Sequence, residues 1–107
     1  MKEILNLTPH DINIYVNGKE ILTIKPYGII PRCEQKETTL CEINGIPITK
    51  QVFGHVYCLP EQEHGVFLIV SKLVASAFPY REDLLIPGPI VRDTDGKPIG
   101  CNGLSKI

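Results

Sequence analysis

The chain has 107 residues, of which 43% are hydrophobic and 21% charged, a composition that suits one globular domain over residues 1–107 and excludes a disordered or fibrous protein. Eleven Lys and Arg residues against twelve Asp and Glu give a net charge of −1, which argues against general nucleic-acid binding. No apolar run reaches the length of a signal peptide or of a membrane span, which is roughly twenty residues, so we expect a cytosolic protein.

The first elements in the chain are predicted to form a β-hairpin. After a turn at Pro9, apolar and polar residues alternate over 12–16, as in a half-buried strand. Asn17-Gly18 is a strong hairpin turn signal, and 20–25 is rich in β-branched residues. We therefore expect 12–16 to pair with 20–25, followed by a short edge piece at 29–33 that Pro31 interrupts.

A second hairpin is predicted around Asn44-Gly45. The segments 38–43 and 47–52 flank this turn, and both carry β-branched residues. The stretch 34–37 before them is polar. Beyond the hairpin we expect strand to continue to residue 59, with Gly54 as a bulge or a point of close approach.

Residues 66–70 are five consecutive apolar residues, which predict a strand buried on both faces. Ser71 follows as a helix N-cap, and an apolar stripe then runs along a short helix that Pro79 ends. The free N–H groups at such a strand-to-helix junction suit a phosphate or a carboxylate. Without a glycine-rich loop, a simple N-cap is the competing interpretation of Ser71.

The last third continues with an apolar run at 84–86 and a third hairpin, in which 90–92 pairs with 98–101 around Asp95-Gly96. The tail from residue 102 is expected to be partly loose. Three hairpins, one buried strand and one short helix predict an α+β fold: a β-rich single domain of antiparallel hairpins with one short helix after a buried strand.

Chemically informative residues cluster around the predicted helix. A guanidinium matches phosphate oxygens in a bidentate way, and an aromatic ring can stack on a base. Structural ion pairs of Arg81 with Asp83, and of Arg92 with Asp93, are the competing interpretation. His10 beside Asp11 suits a general base or a hydrogen-bonding residue at a turn. The predicted ligand-binding residues are His10, Ser71, Lys72, Tyr80, Arg81, Asp83 and Arg92.

The four cysteines, Cys33, Cys41, Cys58 and Cys101, include no Cys-x-x-Cys pair and no histidine at zinc-finger spacing. We interpret them as free thiols, with a metal site assembled from distant residues as the alternative. No catalytic motif is present, and we expect neither a cofactor nor a metal.

Four motifs stand out along the chain: NLTPH near the start, EINGIPI, IVS-x-LVA, and R-x-D-L-x-x-PG-x-x-VRD-x-x-G-x-x-IGC. These motifs resemble a family of small proteins, about 100 residues long, from phages, prophages and bacterial genomes. Together they span nearly the whole chain. The resemblance implies a phage setting and no particular reaction.

By analogy with small phage counter-defence factors, the expected function is non-catalytic sequestration of a nucleotide-derived immune signal of the cyclic ADP-ribose or cyclic oligonucleotide type. The alternatives are an enzyme that degrades such a signal, with His10 as acid or base, and a protein-binding inhibitor of a host factor. Edge strands favour a homo-oligomer.

Overall fold

A computed structural model describes residues 2–107, apart from the side chain of Phe53. Two four-stranded sheets, a two-stranded ribbon and one short helix make up the fold, which confirms the predicted β-rich α+β character. Both four-stranded sheets mix parallel with antiparallel pairs, unlike the predicted antiparallel arrangement. The elements are β1 (Glu3–Asn6), β2 (Ile12–Val16), β3 (Lys19–Ile24), β4 (Arg32–Ile43), β5 (Ile46–Tyr57), β6 (Val66–Ile69), α1 (Lys72–Ala77), β7 (Leu84–Pro87), β8 (Ile90–Arg92), β9 (Pro98–Asn102) and β10 (Leu104–Ser105).

The first sheet has the strand order β1-β6-β7-β10 and is centred on the predicted buried strand. β6 pairs in parallel with β1 on one side and with β7 on the other. β6 is thus an inner strand of the sheet, and its consecutive residues Leu68 and Ile69, which point to opposite faces, are both almost fully buried, in keeping with its apolar sequence. The tail, predicted to be partly loose, instead contributes β10, which pairs antiparallel with β7.

The main core lies against this sheet. Its buried members come from β6, β7, α1 and the segment after β1, and Val56 of β5 and Leu59 pack against them. The fully or nearly buried residues of this cluster are Leu7, Leu68, Val70, Val74, Ala75 and Leu84. The ribbon is thus attached to the core at its base.

The second sheet has the order β3-β2-β9-β8. Two predicted hairpins are its halves: β2 pairs antiparallel with β3, and β8 pairs antiparallel with β9. The halves join through a parallel pairing of β2 with β9, in which Ile14 lies opposite Cys101. Both residues are buried, so this seam is the apolar centre of the sheet.

The β4–β5 ribbon is the predicted second hairpin, and it is longer than expected. Each strand has twelve residues, and they meet at the Asn44-Gly45 turn. Asn44 and Gly45 both have positive φ, 51° and 79°, as this tight turn requires. The polar stretch 34–37 lies within β4, and the predicted edge piece at 29–33 is strand only from Arg32.

The ribbon contains two irregularities. One register shift lies between Cys33 and Gln35, opposite Gly54, where a bulge was predicted. The other lies between Thr39 and Cys41, where Leu40 is the extra residue. Each strand therefore carries one extra residue relative to its partner.

Asn6 fastens the turn after β1 to the end of β3. Its buried side chain donates to the carbonyl oxygens of His10 at 2.7 Å and Ile24 at 2.9 Å. Its Oδ1 accepts from the backbone N–H of Thr8 at 2.9 Å and from the Thr8 hydroxyl at 2.6 Å. The NLTPH motif thus has a structural explanation: a buried amide whose acceptor and one donor bond are satisfied by the turn, and whose other donor bond goes to the end of β3.

The single helix is short. Ser71 caps α1 as predicted, with its Oγ accepting from the Val74 N–H at 3.3 Å, and Phe78 is the C-cap before Pro79. Within residues 2–107, no helix is long and apolar enough to cross a membrane.

Candidate functional site

The predicted ligand residues do not converge on one cavity of the described structure. Ser71 faces a groove at the base of the ribbon, His10 lines a groove beside the second sheet, and Arg81 and Asp83 lie near the end of the core sheet. These residues were predicted to form one site because most of them lie close together in the sequence, within residues 71–92. In the fold, the sheet topology places them on different surfaces.

Arg81 and Asp83 form a buried ion pair. Nε of Arg81 donates to Asp83 Oδ1 at 2.9 Å, and Nη2 donates to Oδ2 at 2.6 Å. Nη2 also donates to the carbonyl oxygen of Pro60 at 3.0 Å. The side chains are 19% and 4% exposed, respectively. Two of the three guanidinium nitrogens thus already donate within the protein, in the geometry that an Arg would use for a phosphate.

Arg92 lies in β8, an edge strand of the second sheet. Its Nη1 donates to the carbonyl oxygen of Gly96 at 2.9 Å, across the β8–β9 turn. Asp93 supports the same turn, since its Oδ1 accepts from the N–H groups of Asp95 and Lys97, both at 2.9 Å. These contacts explain why an Arg-Asp pair precedes the Asp95-Gly96 turn.

Tyr80 and Lys72 have exposed side chains, Lys72 at the start of α1 and Tyr80 shortly after its end. Tyr80 is 95% exposed, and Lys72 is the first residue of α1. Neither lines the groove that Ser71 faces.

His10 lies at the turn after β1 with its side chain exposed. It lines a groove of about 640 Å³ together with Asp11, Asn13 and apolar residues from the second sheet. No arginine is among the described residues that line this groove. An acid-base reaction at His10 would therefore proceed without a guanidinium at the same site.

The groove at the ribbon base has the chemistry that best suits an anion. It has a volume of about 330 Å³ and contains one cationic side chain, Arg32, with Gln35 and Ser71 as polar groups. None of the described residues that line it is acidic. Its lining residues are Pro9, Ile30, Pro31, Arg32, Cys33, Gln35, Ser71, Leu73 and Val74; we call this the ribbon-base groove.

Sequence reasoning found Ser71 but missed Arg32 and Gln35. Arg32 lies in the edge piece predicted at 29–33 and Gln35 in the polar stretch 34–37, and they approach the helix start only because β4 leaves the core there. The contact is between residues about forty positions apart, so neither spacing nor composition indicates it.

The four cysteines are free thiols: Cys101 is buried, Cys33 is half-buried, and Cys41 and Cys58 are exposed. Among residues 2–107 the structure contains no group of three or more His, Cys, Asp or Glu side chains arranged to hold a metal ion.

Comparisons with protein-family models, with curated proteins and with solved structures found no significant match for this chain.

Proposed function

We propose that the protein is a non-catalytic binding protein that captures a small anionic, nucleotide-derived molecule at the ribbon-base groove. The observation that supports this proposal is the groove's charge: Arg32 is its one cationic lining residue, and none of the described lining residues is acidic. A guanidinium offers bidentate donors to a phosphate, and Gln35 and the Ser71 hydroxyl add neutral polar contacts nearby. The volume of about 330 Å³ lies at the small end of ligand pockets.

The setting that we propose is counter-defence in a phage, because of the family resemblance of the NLTPH and IVS-x-LVA motifs. A protein that removes a signal without turning it over must bind tightly, since each site removes one molecule. A ligand of the cyclic ADP-ribose or cyclic oligonucleotide type carries the phosphates that Arg32 would contact.

Native mass spectrometry of gently purified protein tests the proposal directly. The protein is then heated, and the supernatant is analysed for ultraviolet-absorbing phosphates. We expect an intact nucleotide in stoichiometric amount. An empty protein that also fails to bind a panel of cyclic dinucleotides and ADP-ribose derivatives would refute the proposal.

Substitution of Arg32 provides a sharper test of the site. Arg32→Gln removes one charge-assisted contact, which is worth about 1.5–3 kcal/mol, so the Kd for the captured nucleotide should rise about 10- to 150-fold. Isothermal titration calorimetry measures it. Arg92→Gln is the matched control, because Arg92 contacts the Gly96 carbonyl on another surface, and it should leave Kd unchanged. The reverse pattern would move the site to the β8–β9 turn.

An enzyme acting on the same class of ligand is the alternative. The groove that contains His10 and Asp11 would be its site, and heat release would then yield product in place of intact ligand.

A further inference from the structure

Three asparagines of the chain are followed by glycine, and the fold places these pairs in two different environments. The pairs are Asn17-Gly18, Asn44-Gly45 and Asn102-Gly103. The first two are the turns of the β2–β3 and β4–β5 hairpins, whereas the third begins at the last residue of β9. An asparagine before glycine is prone to lose its side-chain amide, because glycine has no side chain to shield its own backbone nitrogen.

This loss of the amide, deamidation, needs only water and a base. The glycine nitrogen gives its proton to hydroxide and attacks Cγ of the preceding asparagine, so a new C–N bond forms, the Cγ–Nδ2 bond breaks and ammonia leaves with a proton from water. Water then opens the succinimide ring, at Cγ to give aspartate or at the main-chain carbonyl carbon to give isoaspartate. The net change is one water consumed and one ammonia released. A reactive pair therefore needs an accessible amide and a glycine N–H that no carbonyl holds.

Both hairpin turns meet these two conditions. Asn17, Gly18, Asn44 and Gly45 are all exposed. A Cβ placed on either glycine would meet nothing within 4 Å, so the surroundings of each turn are open. Of the turn and loop backbone hydrogen bonds between described residues, none is donated by Gly18 or Gly45. Both nitrogens are thus available as nucleophiles.

Ring closure also requires the backbone of the asparagine to rotate, so the turn has to open. The residues beside the two turns are poorly buried: Val16 is 41%, Ile43 56% and Ile46 61% exposed. Opening of either hairpin end therefore breaks few buried contacts and costs little free energy.

The third pair is exposed too, but its nucleophile is held. The Gly103 N–H donates to the carbonyl oxygen of Tyr15 at 3.0 Å, and the Asn102 N–H donates to that of Pro89 at 2.7 Å. Tyr15 lies opposite Asn102 in the parallel pairing of β2 with β9. The preceding residue, Cys101, is buried in that seam. Release of the Gly103 nitrogen thus requires opening the centre of the second sheet.

We propose that Asn17 and Asn44 are sites of spontaneous deamidation in the folded protein, and that the β2–β9 seam protects Asn102. Isoaspartate adds a carbon to the main chain of a two-residue turn in which both residues have positive φ, so the tight turn is lost where it forms. Each conversion also adds one negative charge to a chain whose net charge is −1. This modification does not depend on ligand capture at the ribbon base.

Peptide mapping by mass spectrometry tests the proposal. The native protein is held at mildly alkaline pH beside a sample unfolded in urea, and the peptide of each pair is followed with time. In the native protein the Asn17 and Asn44 peptides should convert from amide to acid, with isoaspartate detected by isoaspartyl methyltransferase labelling. Asn102 should convert at least about 100-fold more slowly than Asn44. In urea the three rates should be similar, because the seam is gone.

A matched pair of glycine variants tests the cause of the protection. Gly100→Ala crowds the seam, since a Cβ there would lie 2.6 Å from the backbone oxygen of Asn13. It should speed conversion of Asn102 about tenfold or more and leave Asn44 unchanged. Gly54→Ala, in the ribbon, should leave the rate at Asn102 unchanged.

Three outcomes would overturn the proposal. The first is a native protein in which Asn102 converts as fast as Asn44, and the second is a native protein in which neither turn converts although all three pairs convert in urea. The third is an equal rise at Asn44 and Asn102 in Gly100→Ala, which would show general loosening in place of a local seam. If Gly100→Ala does not fold, the comparison of native with urea-unfolded protein still decides.

Discussion

Arg81 and Asp83 are two residues apart in the sequence, and the sequence supported two interpretations of them: an ion pair or a pair of ligand contacts. The structure shows the ion pair, with Asp83 almost fully buried and its partner fixed a second time by the Pro60 carbonyl. Burial decides how the pair affects stability, because a buried carboxylate that loses its partner has no water to replace it.

Removing both partners should therefore cost less than the two single removals added together. Arg81→Ala should lower the free energy of unfolding by about 3–5 kcal/mol, because it leaves the Asp83 carboxylate unpaired. The double variant Arg81→Ala/Asp83→Ala should be less destabilised than the sum of the single variants, a coupling that urea unfolding of all four proteins measures. Lys25→Ala is the control: Lys25 contacts Asp11 at 3.7 Å with 81% of its side chain exposed, and we expect a change below about 0.5 kcal/mol. Additive effects at Arg81 and Asp83 would contradict this account.

At the scale of elements, the features predicted correctly from the sequence are the ones that neighbouring residues in the chain determine, above all the hairpin turns. The Asn17-Gly18, Asn44-Gly45 and Asp95-Gly96 turns each join neighbouring strands, and all three hairpins are present. The parallel pairings of β1 with β6 and of β2 with β9 were not predicted, because they join segments more than sixty residues apart and no local pattern specifies the partner. The ribbon-base groove depends on the same kind of long-range approach, so only Ser71 of its polar residues could be found from the sequence.

The parallel seam between β2 and β9 depends on a residue without a side chain. A Cβ on Gly100 would lie 2.6 Å from the backbone oxygen of Asn13 and 2.6 Å from Cε1 of Tyr15, both in β2. Gly100→Ala should therefore push the strands apart and lower the free energy of unfolding by about 1–3 kcal/mol. Chemical denaturation measures the loss.

Gly54→Ala is the control for that experiment. Its Cβ would approach only the flexible side chain of Glu34, at 3.2 Å, and that side chain can move. Equal losses at Gly54 and Gly100 would show that close approach at the seam is not the cause.

At the scale of the whole molecule, stability is unevenly distributed. The buried residues lie in the sheets and near α1, whereas most side chains of the ribbon beyond its base are exposed in the isolated chain. A segment with few buried contacts opens locally at low cost, so the amides of the ribbon should be protected only by its own β4–β5 ladder and less strongly than those of the core sheet.

Hydrogen exchange should reveal this difference. The amides of residues 40–48 should exchange faster than those of β6, because opening the end of the ribbon breaks few buried contacts. Those of β6 should exchange slowly, since β6 pairs with a strand on each side and carries core residues. Equal protection of the two regions would argue that the ribbon is as stable as the core sheet.

The two bulges of the ribbon decide where its length can vary. A strand that loses one residue normally turns all later side chains to the opposite face. At Leu40, and at Gly54 with its neighbour His55, the ladder already holds one residue too many, so a single deletion there restores regular pairing and keeps every face unchanged. A single-residue deletion elsewhere in the paired strands would move the side chains of part of one strand to the opposite face of the ribbon. Homologous ribbons of different length should therefore differ by one residue at these two places and by whole residue pairs elsewhere.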